Sequence, residues 1–236
     1  MPQRLRITYR KDGPARHVGH LDVMRTWERA IRRAKLPLAY TQGFSPHARI
    51  ALAAPLPLGT IGERELMDIW LEEPVVPPEV QRRLAEALPP GLAVAAVEEV
   101  GERLPSIQSL VRSARYEVTF NAGAVDAGSL RVQVQELLAS ETLDWEEQRG
   151  GSDKVRRYDL RATVIELSVW EPAPSGDGVL LEMHLTLEEG RTGRPASVLA
   201  ALGMEARPSS TVRTLVEVER LQLAMRAWRE RGRFEE

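Results

Sequence analysis

The chain has 236 residues, a formal charge of −2, 43% hydrophobic residues and no cysteine, which suits one large or two small domains and excludes disulfides, thiolate zinc sites and cysteine-held iron–sulfur clusters. No run of about 18 apolar residues suggests a membrane span, and residues 1–11 lack the apolar core of a secretory signal, so a cytoplasmic protein with no membrane partner is expected. The near-neutral total conceals an asymmetry. Residues 1–50 hold eleven Arg and Lys against Asp12, Asp22 and Glu28, a formal +8, the kind of local excess that can form an anion site. Glu63, Glu65, Asp68, Glu72 and Glu73 crowd the segment after it.

Residues 4–11 alternate Leu5, Ile7 and Tyr9 with Arg4, Arg6, Thr8 and Arg10. That is the pattern of a half-buried strand with an arginine-rich outer face. After a Gly-Pro turn, Val23, Met24, Trp27, Ala30, Ile31 and Ala34 recur at helical spacing and predict an amphipathic helix over residues 20–35. Gly19 is its N-cap, and Asp22 lies near the exposed N–H groups. Residues 36–40 form its exit. Strands are expected at 48–59 and 63–73, joined around Gly59 to Gly62. A helix follows over 77–91, with Pro near its start and Pro-Pro-Gly at its end, and then a strand over 92–100. The order β-α-β-β-α-β is the ferredoxin-like arrangement.

Residues 101–110 read as a linker, after which the order repeats. A strand is expected at 114–120 and a helix at 127–140. Further strands come from 142–148 or 158–172, and from 179–189 after a turn at 174–178. A helix over 194–203 ends at Gly203, and 210–218 is the closing strand. Candidate strands outnumber the available slots between 141 and 170. The expected fold class is α+β, with two tandem ferredoxin-like halves at 1–103 and 112–220 and a tail helix at 221–236.

On the first helix, Arg25, Arg29 and Arg32 fall at i, i+4 and i+7, opposite Trp27, with Arg33 beside them. A guanidinium row suits a phosphate backbone; the plainer alternative is a solvated face partly balanced by Glu28. In Gly43-Phe44-Ser45-Pro46, Phe44 taken alone reads as a plug for the end of the core. The loop as a whole reads as a place where a backbone or base can approach. His17, His20 and His47 lack the convergent spacing of metal ligands, and neither metal nor cofactor is expected. His20, at a helix start, is expected to stay neutral in the field of the helix dipole. It is thus a candidate base toward an RNA 2′-hydroxyl, with His47 in the following loop as its potential neighbour. His184 reads as a strand residue, and Asp22, Asp68 and Asp159 as isolated carboxylates. Phosphate-loop, nucleophile-elbow and HExxH motifs are absent. The RNA-binding candidates are Arg6, Arg10, Lys11, His20, Arg25, Arg29, Arg32, Gly43, Phe44, His47 and Arg49.

These residues carry a resemblance. Tyr9-Arg10-Lys11 with Gly13, His20-Leu21-Asp22, the arginine-bearing helix, Gly43-Phe44-Ser45-Pro46 and Pro55 to Gly59 together resemble the N-terminal signature of the radical-SAM-linked proteins, a prokaryotic domain of unknown function. Weaker echoes follow at 158–165, 194–203 and 212–214. The chain departs from the pattern at Gly19, where members carry Ser, and at His17, where many carry Phe. Such proteins are encoded beside radical-SAM enzymes or fused to them, which implies a radical-SAM partner and an RNA-modification setting. The missing cysteines fit a cluster held by that partner.

The leading expectation is a non-catalytic RNA-binding adaptor that presents RNA, of the ribosomal or transfer class, to a radical-SAM enzyme, with the acidic second strand and helix facing the partner protein. The alternatives are a metal-independent RNA endonuclease of tandem ferredoxin-like type using His20, and a protein-interaction scaffold that binds no RNA.

Overall fold

Alternation along β1, Gln3–Lys11, places Leu5, Ile7 and Tyr9 in a core where each is at most 3% exposed. The computed structural model describes residues 2–102, 104–148, 155–174, 176–188, 190–204 and 208–218; the tail helix expected at 221–236 lies outside them. Two units are distinguished: Met1–Arg112 together with the chain from Leu215 onward, and Ser113–Thr214. The fold is α+β.

In the first unit, a 3-10 turn at Gly13–His17 leads into α1, His20–Arg33. Gly19 is the N-cap, Asp22 lies in the first turn, and Arg32 and Arg33 lie in the last. Each charge sits at the helix end whose partial charge it opposes. The stripe Val23, Trp27, Ala30 and Ile31 is buried, and Trp27 meets Tyr9 edge-on with ring centroids 5.1 Å apart. Next come β2, Ile50–Leu52; β3, Ile61–Leu71; α2, Pro77–Ala87; and β4, Leu92–Val100. β2 is shorter than expected, because Pro55 and Pro57 have no N–H for a ladder. The strand order is β4-β1-β3-β2, antiparallel at every pairing.

Two expectations fail here. The segment read as a linker contains a helical turn, α3, Ile107–Leu110, whose Ile107 and Leu110 are buried and which packs on β2 and β3. The expected arginine-rich outer face of β1 is in solvent only at Arg10: Arg4 and Arg6 are 2% and 3% exposed. Asp68 on β3, fully buried, lies opposite Arg6 in the register. Its carboxylate accepts from Arg4 Nε (3.0 Å) and Nη2 (2.6 Å) and from Arg6 Nε (2.7 Å) and Nη2 (2.9 Å). Arg4 also donates to the carbonyls of Leu104 (2.6 Å) and Pro105 (2.8 Å), just before α3. Buried guanidinium groups require such partners, since a desolvated charge left alone is very costly. Asp68 is therefore no isolated carboxylate.

The second unit begins with β5, Ser113–Phe120, whose Ala114, Tyr116, Val118 and Phe120 face a separate core. α4, Ala127–Ala139, is capped by Asp126, which accepts from the Ser129 N–H at 2.7 Å. Both candidate segments between 141 and 170 form strands. β6, Asp144–Gln148, and β7, Val155–Asp159, pair only with each other as a two-stranded ribbon. After a 3-10 turn at Arg161–Thr163 come β8, Val164–Trp170; β9, Val179–Glu188; β10, Arg191–Thr192; α5, Pro195–Ala201; and β11, Ser210–Glu217. β9 pairs with β5 along one edge and with β8 and β10 along the other, and β11 lies beside β5. The surplus strands are thus an inserted hairpin. Asp159, within it, accepts from the Leu143 N–H at 2.8 Å.

Replacing Asp68 with Asn leaves two buried guanidinium groups without a counter-charge. A loss of about 3–5 kcal/mol is expected, read as a lower urea midpoint at unchanged m-value. Arg25→Ala, which removes an exposed partner of Asp22, should cost no more than about 0.5 kcal/mol.

Candidate functional site

Helix α1 turns its apolar stripe inward, so its arginines point out. Arg25, Arg29, Arg32 and Arg33 are all exposed. Their settings differ. Arg25 pairs with Asp22 at 3.0 Å, Arg32 pairs with Glu28, and Arg33 donates to the Ala87 carbonyl at 3.0 Å. Arg29 makes no ion pair among the described residues. Arg32 also donates Nε–H to the Tyr40 hydroxyl at 2.9 Å, its guanidinium 5.8 Å from that ring's centroid.

Tyr40 is brought there by the chain's exit from α1. Leu38 bridges to Leu71, and Tyr40 bridges to Ala48. Three backbone bonds then tie successive strands together: Arg49 N–H to Ala39 carbonyl (2.9 Å), Ala39 N–H to Trp70 carbonyl (2.8 Å) and Trp70 N–H to Arg49 carbonyl (3.1 Å). They hold the Arg49 guanidinium 4.8 Å from the centroid of Trp70, over whose ring Arg4 also lies at 5.1 Å. Both distances fall within cation–π range. The Arg49–Trp70 pair lies on the strand face that carries Asp68, opposite the face covered by α1, and is anchored through Arg4 to that buried carboxylate.

Between Tyr40 and Ala48 the chain makes a loop. Its base is closed by Thr41 N–H to the His47 carbonyl and by His47 N–H to Thr41 Oγ1, both 2.9 Å. Gly43 sits at φ +131°, a conformation that side chains rarely tolerate. Phe44 at the tip is fully exposed. The plug expected for this residue is not formed: the loop points it outward, and the core ends instead on Leu36, Leu38 and Ile50.

The remaining candidates scatter. Arg6 and Lys11 are buried, Lys11 donating to the Val18 carbonyl at 2.9 Å. Arg10 is exposed and pairs with Asp12 at 2.8 Å. With Arg4, three of the eleven cations in residues 1–50 are therefore inside the molecule. His17 is exposed and accepts from Arg16. His20 is half-buried, and its pKa is lowered from the ordinary 6.5, by burial first and by the Lys11 charge second. The lowering runs in the direction expected for this imidazole, and its causes are burial and the Lys11 charge. Among the described residues, no group of three or more His, Cys, Asp or Glu could hold a metal ion.

The acidic segment is less acidic at the surface than its sequence implies. Glu65 and Asp68 are buried. Glu79 of α2 accepts from Arg82 and Arg83, which hold its carboxyl down at about 2, and Arg82 also pairs with Glu86. Glu63, Glu72 and Glu73 remain exposed. In the second unit, a shallow cavity of about 190 Å³ is lined by Arg115, Glu166, Glu182 and His184, among others; His184, on β9, lies 2.9 Å from Ser113 Oγ.

Tyr40 and Trp70 are the residues that sequence reasoning missed. One signal was available for Trp70. It shares a strand face with Asp68 and sits opposite Arg4, so the polar alternation of β1 had its complement two positions apart on β3.

Against known proteins, residues 4–195 match the family model described as "Uncharacterized protein conserved in bacteria (DUF2344)", and the chain belongs to that family. No curated protein matches. Among solved structures, the chain is similar to one from "Crystal Structure of a Cbf5-Nop10-Gar1 Complex", with TM-score 0.50 and 15% identity over 90% of this chain and 48% of the other. This chain spans about half the length of that one, and the likeness is one of fold.

His20 carries the pH dependence expected of this region. Its folded-state pKa lies below 6.5, so the unfolded chain takes up the proton first as pH falls. Its contribution to stability is then lost progressively below about pH 6.5. NMR titration should place the His20 midpoint under that value, and His20→Gln should remove its part of the acid sensitivity.

Proposed function

We propose that this member of the DUF2344 family is a non-catalytic RNA-binding adaptor, with its contact surface formed by the outer face of α1, the 41–47 loop and the Arg49–Trp70 pair. The observation that carries this reading is a pair of guanidinium–aromatic contacts, Arg32 with Tyr40 and Arg49 with Trp70, that flank the 41–47 loop in the chain, with no Asp or Glu between residues 40 and 50. Guanidinium groups match phosphate oxygens, and aromatic rings accept bases. The functional partner we propose is a radical-SAM enzyme acting on ribosomal or transfer RNA. Support for it is the N-terminal motif resemblance, together with a chain that has no cysteine to hold a cluster.

We read both units as ferredoxin-like. The first has order β4-β1-β3-β2, and in the second β11, β5, β9 and β8 follow the same order once the β6–β7 hairpin is set aside. The similar solved chain comes from a Cbf5-Nop10-Gar1 complex, which is compatible with a working life inside an assembly.

A second reading, an RNA endonuclease with His20 as base, draws on one observation, the half-buried imidazole whose pKa is lowered by burial and by Lys11. RNA that stays intact on incubation with the protein would remove it.

The test is binding of the whole chain to total RNA at low and moderate salt. Affinity should fall with salt, and Arg29→Glu should lower the slope of log affinity against log salt by about one. Arg25→Glu should act less, since Asp22 already offsets Arg25. Salt-dependent binding that neither substitution alters would move the contact surface elsewhere. Absence of RNA binding, with partner capture insensitive to ribonuclease, would leave a protein-docking scaffold.

A further inference from the structure

The 41–47 loop displays an aromatic ring that does nothing for the fold. Phe44 is fully exposed, whereas aromatic side chains ordinarily bury most of their surface. The display is built rather than loose. The loop is closed at its base by the Tyr40–Ala48 bridge and the two Thr41–His47 bonds. Gly43 supplies a backbone turn at φ +131° before the ring, and Pro46 restricts the chain after it. A ring held out in advance loses little conformational freedom when something covers it.

The surroundings say what that something is. The other side chains of residues 41–47 are Thr, Gln, Ser, Pro and His. They give Phe44 no second apolar anchor, and the core of a protein interface is a cluster of them. Cations and aromatic rings flank the loop on both sides in the chain, Arg32 with Tyr40 before it and Arg49 with Trp70 after it. A lone exposed ring, on a loop flanked in the chain by two cation–aromatic pairs, matches a planar base on a phosphate backbone. In a duplex every base face is already stacked on its neighbours, so an aromatic side chain can only take up a base that is unpaired.

We infer that Phe44 is a stacking residue for an unpaired base, and that the substrate class of this surface is single-stranded RNA, as a strand, a loop or an end, rather than duplex. The inference rests on the RNA-binding function proposed above and deepens it. The arginines hold the backbone without regard to base pairing, and Phe44 selects for unpaired sequence. The selection is indifferent to base identity, because every base has a π-face.

The experiment compares a short unstructured oligouridylate with a blunt-ended RNA duplex of equal phosphate number, titrated with the full chain. Wild type, Phe44→Ala, Phe44→Trp and Arg29→Glu are measured in parallel by fluorescence anisotropy of labelled RNA. Wild type should prefer the single strand. Phe44→Ala should weaken single-strand binding roughly five- to hundred-fold and leave duplex binding unchanged, and Phe44→Trp should restore it. Phe44 makes no buried contact, so a failure to fold does not confuse the comparison. Equal affinity for both RNAs with an inert Phe44→Ala overturns the inference, while the RNA-binding reading survives if Arg29→Glu still weakens both. Absence of binding to either RNA by wild type overturns both together.

Discussion

The carboxylate of Asp68, sealed from solvent between two arginines, is the interaction on which the first unit depends. It accepts four hydrogen bonds from Arg4 and Arg6, and those bonds exist only in one register of β1 against β3. A slip of one residue would turn Arg4 and Arg6 toward Trp27 and Ile31, and Leu5 and Ile7 away from them, so charge and hydrophobicity specify the same alignment. The spare donors of Arg4 then reach the carbonyls of Leu104 and Pro105. The segment leading into α3 is thereby part of the same arrangement. Such a cluster adds less to stability than an apolar core of the same volume would; what it supplies is a strong penalty for misalignment.

The candidate site inherits its order from this arrangement. Arg4 lies over Trp70, Trp70 shares backbone bonds with Arg49 and Ala39, and the next residue after Ala39 is the tyrosine that receives Arg32. Arg49 is thus one ring away from buried Arg4, and Arg32 is held by a tyrosine next to buried Ala39. Long basic side chains on a surface usually sample many rotamers, and ordering them is a cost that a ligand must meet. Here Tyr40 and Trp70 have met part of it already.

What the sequence made legible follows from periodicity. The three-and-four spacing of Val23, Trp27, Ala30 and Ile31 was enough to place α1 and its outward arginines, and alternation placed β1, β4 and β5 within a residue or so. Alternation reveals that a strand has two faces; it does not reveal which of them is wet. Arg4 and Arg6 looked like solvent residues because their partners, the Asp68 carboxylate and the Leu104 and Pro105 carbonyls, lie about 60 to 100 residues further along the chain. Phe44 went the other way. An apolar residue is assigned to the core by default, and nothing in Gly-Phe-Ser-Pro tells that the turn faces outward. Trp70 depends on Arg49 and Arg4, from two other segments of the chain, and Tyr40 on a return of the chain past the end of α1, which no local pattern contains. The hairpin β6–β7 was visible as an excess of strands, although only the structure shows that it stands apart from the sheet.

The closed base of the 41–47 loop separates two kinds of change. Residues 42–46 hang from a bridge whose hydrogen bonds involve Tyr40, Thr41, His47 and Ala48, so the tip can lengthen, shorten or exchange its ring without moving Arg49 on Trp70 or Arg32 on Tyr40. Grip and discrimination reside in different atoms. A lineage could therefore retune what it recognises by editing a handful of codons at the tip while the cationic floor beneath stays intact, in the way a tool holder accepts a new bit.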